Sequence, residues 1–329
     1  MRMRNHLYNI GFRKEISFDV MTIGIGNLAM GGTGKTPLSE YIIKRFKDQF
    51  SIAVLSRGYG RKSFGIRIAT KEDTIRTIGD EPLQVFKKFG EQIVVAVGEN
   101  RLIAIPQILQ ERPEINMIVL DDVYQHRKVK PTVNLLLTNY SSPFYVDFIF
   151  PAGWLREPRQ GATRADAIMV SKCADDMKAD EKVRVINSIR KYSQAPVFFT
   201  GLKYGKPVAF GSTDECKKLV IVVSAIANNH LFGNYCASVF DVVHHARFED
   251  HHYFSEADIQ PIVQLAGEKK ASIVTTEKDM VKLIEDKNRI SSSPWFYVPI
   301  ESYFLEGEED FNKLILGKAK SLMHSWSLA

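Results

Sequence analysis

Residues 31–36 read Gly-Gly-Thr-Gly-Lys-Thr, and they follow the apolar stretch Phe18–Gly26, which predicts a β-strand. Glycines let backbone N–H groups curl around phosphate oxygens, and a helix that begins after them adds partial positive charge. Lys35 is expected to reach the β- and γ-phosphates of a nucleotide, and the Thr36 hydroxyl is expected to bind Mg²⁺. The predicted phosphate-binding residues are Gly31, Gly32, Thr33, Gly34, Lys35 and Thr36.

Two positions next to this loop depart from common patterns. The usual eight-residue phosphate loop begins with glycine, and here that position is Ala29. The run is also similar to that of partitioning ATPases, which carry a second lysine where this chain has Met30. Because the run follows a strand and opens a helix, a glycine-rich turn that binds nothing is disfavoured, and Met30 disfavours an ATPase switch.

Strands and helices alternate through the first two-thirds of the chain. This pattern predicts an α/β fold with a mostly parallel sheet flanked by helices. The further predicted strands are Ser51–Ser56, Gln92–Val97, Asn116–Leu120, Val133–Thr138 and Ala167–Ser171. The predicted helices are Thr36–Lys47, Glu81–Phe89, Arg101–Glu111 and Lys178–Tyr192.

A second, shorter series follows the Lys206-Pro207 step. Its predicted strands are Leu219–Val223 and Ser272–Thr275, and its predicted helices are His230–Val239, Glu277–Ile284 and Glu309–Ser325. Glycine and proline punctuate residues 200–210, which indicates a boundary there. We therefore expect a nucleotide-binding domain at residues 1–205 and a smaller α/β domain at residues 206–329.

Composition narrows the class of protein. The hydrophobic share of 45% and the charged share of 25% are typical of globular proteins, and the net charge of +6 favours acidic partners without choosing among them. The three cysteines have no Cys-x-x-Cys spacing, which disfavours a disulfide framework or cysteine zinc site. Without a signal-peptide pattern or a run of roughly 18–20 apolar residues, we expect a cytoplasmic protein that meets a membrane only from its surface.

A second nucleotide element is predicted at residues 117–122, which read Met-Ile-Val-Leu-Asp-Asp. An apolar strand delivers acidic groups to the carboxyl edge of a parallel sheet, where they can hold Mg²⁺. On its own the pattern is weak, but the phosphate loop upstream strengthens it. The sequence does not decide whether Asp121 or Asp122 reaches the metal.

Further motifs occur in order along the chain. They are residues 26–28 (Gly-Asn-Leu), 55–60 (Leu-Ser-Arg-Gly-Tyr-Gly), 79–82 (Gly-Asp-Glu-Pro), 121–127 (Asp-Asp-Val-Tyr-Gln-His-Arg), 151–158 (Pro-Ala-Gly-Trp-Leu-Arg-Glu-Pro), 250–252 (Asp-His-His) and 276–279 (Thr-Glu-Lys-Asp). Together they closely resemble the tetraacyldisaccharide 4'-kinase family. The resemblance implies transfer of the γ-phosphate of ATP, with Mg²⁺, to the 4'-hydroxyl of a tetraacylated glucosamine disaccharide 1-phosphate. It places this step of lipid A synthesis at the cytoplasmic face of the inner membrane, and it implies two α/β/α domains joined by a hinge.

Departures from the family pattern raise specific questions. The family has glycine where this chain has Val123, and a β-branched residue would be strained if that position needs a positive φ. The family's Gly-Ile-Ala-Asn-Pro run reads Ala-Ile-Ala-Asn-Asn at residues 225–229. Family members usually begin with an apolar, basic segment, and here only residues 1–4 are basic. We therefore expect either that the true start lies upstream of residue 1, or that contact with an anionic membrane surface uses other surfaces.

The resemblance makes Asp80 a candidate general base toward the sugar hydroxyl; the alternative is a helix N-cap. His251 or His252 is expected to pair with Asp80 across a cleft between the domains, which leaves open which of the two does so. A zinc site formed with His244 and His245 is disfavoured because helical ligand spacing is lacking.

Three more residues have open roles. Glu157 is expected either to reach the Mg²⁺ ion or to close a loop by pairing with an arginine. Arg57 and Arg156 are predicted to contact ATP or the substrate phosphate, because a guanidinium matches phosphate geometry, and the alternative is a surface role.

Two other classes of function are alternatives for a chain with these motifs. A nucleotide-switch ATPase or GTPase that delivers a protein or metal would share the phosphate loop and the aspartate-bearing strand. Residues 170–173 read Val-Ser-Lys-Cys where such proteins read guanine with Asn-Lys-x-Asp, so guanine is disfavoured. A nucleic-acid-binding ATPase lacks support because the chain has no basic-aromatic stripe, and we expect no nucleic-acid partner.

Overall fold

The structure, a computed structural model, describes residues 2–285 and 290–326. Its strands are β1 (Met21–Asn27), β2 (Ile52–Ser56), β3 (Arg67–Ile68), β4 (Val94–Val97), β5 (Met117–Leu120), β6 (Val133–Asn139), β7 (Ala167–Ser171), β8 (Val197–Tyr204), β9 (Val208–Ala209), β10 (Leu219–Ser224), β11 (Asp241–Arg247), β12 (Ser272–Thr276), β13 (Trp295–Val298) and β14 (Ile300–Phe304). Its α-helices are α1 (Arg2–Asn9), α2 (Lys35–Phe46), α3 (Ile75–Ile78), α4 (Asp80–Phe89), α5 (Arg101–Glu111), α6 (Ala179–Arg190), α7 (Asn229–Val239), α8 (Glu256–Lys269), α9 (Glu277–Leu283) and α10 (Glu308–Trp326). Short 3₁₀ turns cover Gly90–Gln92 and Arg159–Arg164.

The larger sheet has nine strands in the order β14-β8-β7-β6-β1-β5-β2-β4-β3. Its interior pairs are parallel, and only the edge strands β3 and β14 run antiparallel to their neighbours. Every residue of β1 is buried because apolar clusters cover both faces of the sheet. Strands buried on both faces need continuous apolar runs, and this is the pattern that the sequence displays.

The smaller sheet has five strands in the order β11-β10-β12-β13-β9, parallel except for the β9–β13 pair. Its two faces carry separate apolar clusters, one around Trp295 and one around Phe296. The two sheets confirm the predicted α/β fold with a second, smaller α/β unit. Within the described residues, no helix is both long and apolar enough to cross a membrane.

The C-terminal segment returns to the larger sheet, which the sequence did not predict. The chain passes from the larger sheet to the smaller one between β8 and β9, close to the expected boundary at residues 200–210. It comes back at β14, which pairs antiparallel with β8. Phe311 and Ile315 of α10 then join the same core as Phe46 of α2. Strand β14 and helix α10 therefore pack with the larger sheet, because Phe304, Phe311 and Ile315 complete its core.

Candidate active site

Positive φ angles shape the phosphate loop. Gly31 has φ 102°, and Gly34, the N-cap of α2, has φ 86° in the left-handed region. Side chains with a Cβ rarely adopt these angles, which explains the glycines at both positions. Lys35 and Thr36 then form the first turn of α2, where backbone N–H groups lack intrahelical partners and favour an anion.

The Lys35 ammonium lies beside the carboxyl end of the neighbouring strand. Its Nζ is 3.5 Å from Asn27 Oδ1 and 3.4 Å from Asp122 Oδ1, and Arg156 Nη1 is 3.0 Å from Asp122 Oδ2. Burial acts to raise the pKa of Asp122, but the charges of Lys35 and Arg156 outweigh it, so this pKa is lowered. The positive φ of this segment, 46°, belongs to Asp122 and not to Val123. The valine is therefore not strained, and its side chain packs in the core.

Asp121 differs from its neighbour in having an unsatisfied carboxylate oxygen. Its Oδ1 is buried and has no hydrogen-bond partner among the described residues. Burial and the nearby negative charge of Glu81 raise the pKa of Asp121 to about 7. A buried carboxylate without a partner is unfavourable unless a cation balances it, so Asp121 fits a Mg²⁺ ligand better than the ion-paired Asp122 does.

Two residues that the sequence analysis did not assign hold the phosphate loop from β7. Ser171 Oγ donates to the Thr33 carbonyl at 2.7 Å, and Lys172 Nζ donates to the Gly32 carbonyl at 2.7 Å. Lys172 has φ 60°, which is uncommon for a residue with a side chain. Residues 170–173 align with the strand end that reads guanine in switch GTPases, and this position next to the nucleotide could have indicated the contact.

Asp80 is the first residue of α4 and is buried. The N-cap position belongs to Gly79, with φ 92°, and a Cβ there would lie 2.9 Å from the Tyr59 carbonyl. The N-cap alternative for Asp80 therefore does not apply. Its Oδ1 accepts from the Glu81 N–H at 2.9 Å, which leaves Oδ2 directed toward the smaller sheet.

His251 reaches Asp80 from the loop after β11. Its Nδ1 lies 2.8 Å from Asp80 Oδ2, and Lys278 Nζ of α9 lies 3.7 Å from the same oxygen. Burial acts to raise the pKa of Asp80, but the His251 hydrogen bond and the Lys278 charge lower it to about 2. The hydrogen bond to Asp80 raises the pKa of His251. The two sheets thus meet at a carboxylate–imidazole pair.

His252 and His245 contact other partners. His252 Nε2 is 3.1 Å from Asp258 Oδ2, and its ring stacks on Phe248. His252 was a catalytic candidate, but its ring anchors the start of α8 and does not face Asp80. His245 Nε2 contacts Ser224 Oγ at 2.8 Å, and among the described residues no group of three or more histidine, cysteine or acidic side chains could hold a metal ion.

For Glu157 the sequence leaves open a role at the Mg²⁺ ion and a role as a loop anchor paired with an arginine. Its side chain is fully buried, and its oxygens accept from Asn5 at 2.7 Å, Gln125 at 3.0 Å and Arg164 at 2.8 Å. These donors satisfy the carboxylate, so the structure favours the alternative of an arginine-paired loop anchor. The Asn5 contact also fastens α1 to this loop.

Arg57 is exposed just after β2, at the same edge of the sheet as the phosphate loop. Burial lowers the pKa of Arg101 to about 10, and the positive charge of Arg57 is among the further causes. Arg57 and Arg156 therefore place two guanidinium groups along this edge.

The site combines groups suited to an anion with a carboxylate suited to accept a hydrogen bond. Lys35 and the N-terminus of α2 lie near the unsatisfied carboxylate of Asp121, and the carboxylate–imidazole pair lies where the two sheets meet. This fold and site indicate a phosphotransferase of the α/β class.

The comparisons with known proteins identify the family. The family model for tetraacyldisaccharide-1-P 4'-kinase matches residues 1–320, and the chain belongs to this family. The tetraacyldisaccharide 4'-kinase of Bacteroides thetaiotaomicron is 39% identical and covers 96% of this chain and 88% of the relative. That of Flavobacterium psychrophilum is also 39% identical, over 97% of this chain and 93% of the relative. The predicted resemblance is confirmed.

A solved structure agrees in fold. The crystal structure of LpxK from Aquifex aeolicus in complex with ATP has a TM-score of 0.75 and 27% identity, covering 96% of this chain and 94% of that one.

Proposed function

We propose that the chain transfers the γ-phosphate of ATP to the 4'-hydroxyl of a tetraacylated glucosamine disaccharide 1-phosphate in lipid A biosynthesis. Family membership supports the substrate class. The observation that carries the proposal is the 2.8 Å contact between Asp80 and His251 at the edge of the sheet that bears the phosphate loop.

Asp80 is the proposed general base. A carboxylate with a pKa of about 2 is a weak base, so its first task is to orient the acceptor hydroxyl by hydrogen bonding. It accepts the proton late, in a loose transition state where little covalent bonding has formed. His251 and Lys278 hold the carboxylate ionised and aimed at the acceptor.

Lys35 and the backbone N–H groups of the phosphate loop stabilise charge on the transferring phosphoryl group. Ser171 and Lys172 donate hydrogen bonds to the carbonyls of Thr33 and Gly32. These bonds fix the loop backbone, so its N–H groups stay directed at the nucleotide. The remaining cations, Arg57 and Arg156, are proposed to contact the substrate or nucleotide phosphates.

Mg²⁺ would be held by Thr36 and by Asp121, whose unpartnered Oδ1 is suited to a hard cation. When bound, the ion neutralises charge on the phosphates. Asp122 instead keeps Lys35 and Arg156 in place through its two ion pairs.

The two sheets are proposed to behave as domains, residues 1–205 and 206–329, with residues 300–326 returning to the first. The linker near residues 200–210 is proposed as a hinge that closes the site around both substrates, which would exclude water from the activated phosphate.

The chain is proposed to act peripherally at an anionic membrane surface, on the cytoplasmic face of the inner membrane. The support is apolar exposure at the N-terminal segment, where Met3, Ile10 and Phe12 are exposed beside Arg13 and Lys14. These residues lie in and just after helix α1, whereas the sequence favoured surfaces outside the N-terminal segment. Co-sedimentation with vesicles containing anionic lipid, lost at high salt, is the expected result.

The proposal is tested with γ-labelled ATP, Mg²⁺ and a panel of acceptors: the lipid disaccharide, water and protein. Label in the lipid is expected. Label found only as free phosphate would contradict the kinase and support the switch ATPase.

A further inference from the structure

A buried group of charges connects the three helices whose first residues carry the candidate active site. Lys88 of α4 lies between two glutamates, and its Nζ is 2.6 Å from Glu40 Oε2 of α2 and 2.9 Å from Glu277 Oε2 of α9. Gln84 Nε2 also donates to Glu40 Oε1 at 2.9 Å. We call Glu40, Lys88 and Glu277 the three-helix charge cluster.

The two glutamates of the cluster are buried, so their charges depend on the Lys88 ammonium group. Glu40 is 3% exposed and Glu277 is 5% exposed. A charged group in such surroundings is unfavourable unless it keeps its partner. Burial raises the pKa of Glu40 to about 7, against the lowering effect of Lys88. Separation of α9 from α2 and α4 would leave a buried charge without its hydrogen bond, so the cluster opposes opening of the proposed hinge and stabilises the arrangement in which the two sheets meet.

The same helices deliver the reacting groups. Helix α2 begins at Lys35, α4 begins at Asp80, and α9 begins at Glu277, directly before Lys278. Lys278 Nζ contacts Asp80 Oδ2 at 3.7 Å and His251 Nε2 at 3.3 Å. Because Lys278 follows Glu277, a displacement of Glu277 from Lys88 moves the lysine that faces Asp80.

We propose that Lys88 and Glu277 are positioning residues for the phosphoryl transfer, which lock α9 against α4 so that Lys278 and His251 face Asp80. Neither residue acts by touching a substrate; both act through Lys278 and Asp80. The inference deepens the proposed function and rests on it for its kinetic readout. The cluster also ties the smaller sheet's helix to the two helices of the larger sheet, since α9 follows β12.

The test uses Glu277→Leu in the full chain. This change removes the ion pair between Lys88 and α9 but leaves the ion pair between Lys88 and Glu40. No buried charge is therefore left without an oppositely charged partner. We expect kcat for label transfer to the lipid acceptor to fall about 10- to 100-fold, as for misplaced catalytic groups, with ATP affinity within about twofold. The matched control is Glu301→Leu, which removes an exposed ion pair between Glu301 and Lys44 of α2 and should leave kcat unchanged.

A double-mutant cycle separates positioning from general stability. In a His251→Ala background, Glu277→Leu should cost much less than in the wild type, because both changes disturb one unit. Strictly additive effects, or a wild-type kcat in Glu277→Leu, would overturn the inference. If Glu277→Leu does not fold by circular dichroism, Glu277→Gln carries the same test with a smaller expected loss.

A second readout needs no acceptor. In Glu277→Leu, an NMR titration of ¹³C-labelled aspartate should find the pKa of Asp80 raised toward its ordinary value of 3.8, because Lys278 moves away. An unchanged pKa of Asp80 refutes the positioning role. If the wild-type protein labels no lipid, but Glu277→Leu still raises the pKa of Asp80, the proposed function alone is refuted.

Discussion

Removal of the His251 imidazole tests the candidate site most directly. Burial acts to raise the pKa of Asp80, and the His251 hydrogen bond is the largest of the opposing causes that lower it to about 2. His251→Ala removes that bond, whereas His252→Ala removes a neighbouring ring that contacts Asp258. The two variants delete the same side chain at adjacent positions, so each controls for the other.

The structure sets the size of the expected effect. The fall of the Asp80 pKa from 3.8 to about 2 corresponds to about 2 kcal/mol in favour of the carboxylate. Lys278 remains in His251→Ala, so the pKa of Asp80 should rise by about 1 to 2. If all of the 2 kcal/mol is used in the transition state, kcat falls about 30-fold. His252→Ala should change kcat by less than about twofold.

The assays are an NMR titration of ¹³C-labelled aspartate, assigned with Asp80→Asn, and label transfer from γ-labelled ATP. A cycle with Asp80→Ala, His251→Ala and the double variant should be far from additive, since the two groups act as a unit. An additive cycle, or equal responses of the two histidine variants, would refute the pairing of His251 with Asp80.

The same pair gives a pH dependence of stability. The lowered pKa of Asp80 contributes stability that is present above pH 3.8 and lost as the pH falls through about 2. The raised pKa of His251 contributes stability that is full below pH 6.5 and lost as the pH rises through the folded-state value. Asp80, Asp250 and Lys278 face His251. The urea midpoint of wild type minus that of His251→Ala should therefore be largest between about pH 4 and 6.5, and a flat difference would contradict this.

Three further expectations follow from the phosphate side of the site. Lys35→Ala should lose about 10²–10³ in kcat with the fold intact by circular dichroism, because a charge aimed at the transferring phosphoryl group is removed; near-normal turnover would exclude the assigned role. Asp121→Asn should raise the Mg²⁺ concentration needed for half-maximal turnover more than Glu157→Gln does. Glu157→Gln should instead lower the free energy of unfolding in urea by about 1–3 kcal/mol, because its three donors lose a charged acceptor. The reverse order would restore Glu157 as the metal ligand. Lys172→Met should raise the KM for ATP more than it changes kcat, since the loop carbonyl of Gly32 loses its donor, and an unchanged KM would leave Lys172 without a role in nucleotide binding.

Several elements could be predicted because their signal is local. The apolar runs of β1 and β5 and the glycines before α2 are contiguous in the sequence, and the structure has each of them within a few residues of the expected bounds. The strand expected at Gln92–Val97 begins at Val94, since Gly90–Gln92 forms a 3₁₀ turn. Helix α8 was not predicted, and Pro261 within it is a residue that usually interrupts a helix.

The pairings within the site could not be predicted in the same way. Asp80 and His251 are 171 residues apart, and no local pattern distinguishes His251 from its neighbour. The left-handed φ of His251, 62°, turns its ring toward Asp80, while the ring of His252 stacks on Phe248. For Glu157 the sequence left two roles open, because the donors that favour the loop anchor come from residues 5, 125 and 164.

The sequence by itself determined the phosphate loop, the parallel α/β sheet around it and, through the ordered motifs, the family. These depend on backbone conformation and apolar periodicity, which neighbouring residues specify. Only the tertiary structure decided which carboxylate is left without a partner, which histidine meets the base, and that α10 returns to the first core. Each of those depends on burial and on contacts between segments far apart in the chain, because a charge or a hydrogen bond acquires its energy from the groups that packing brings around it.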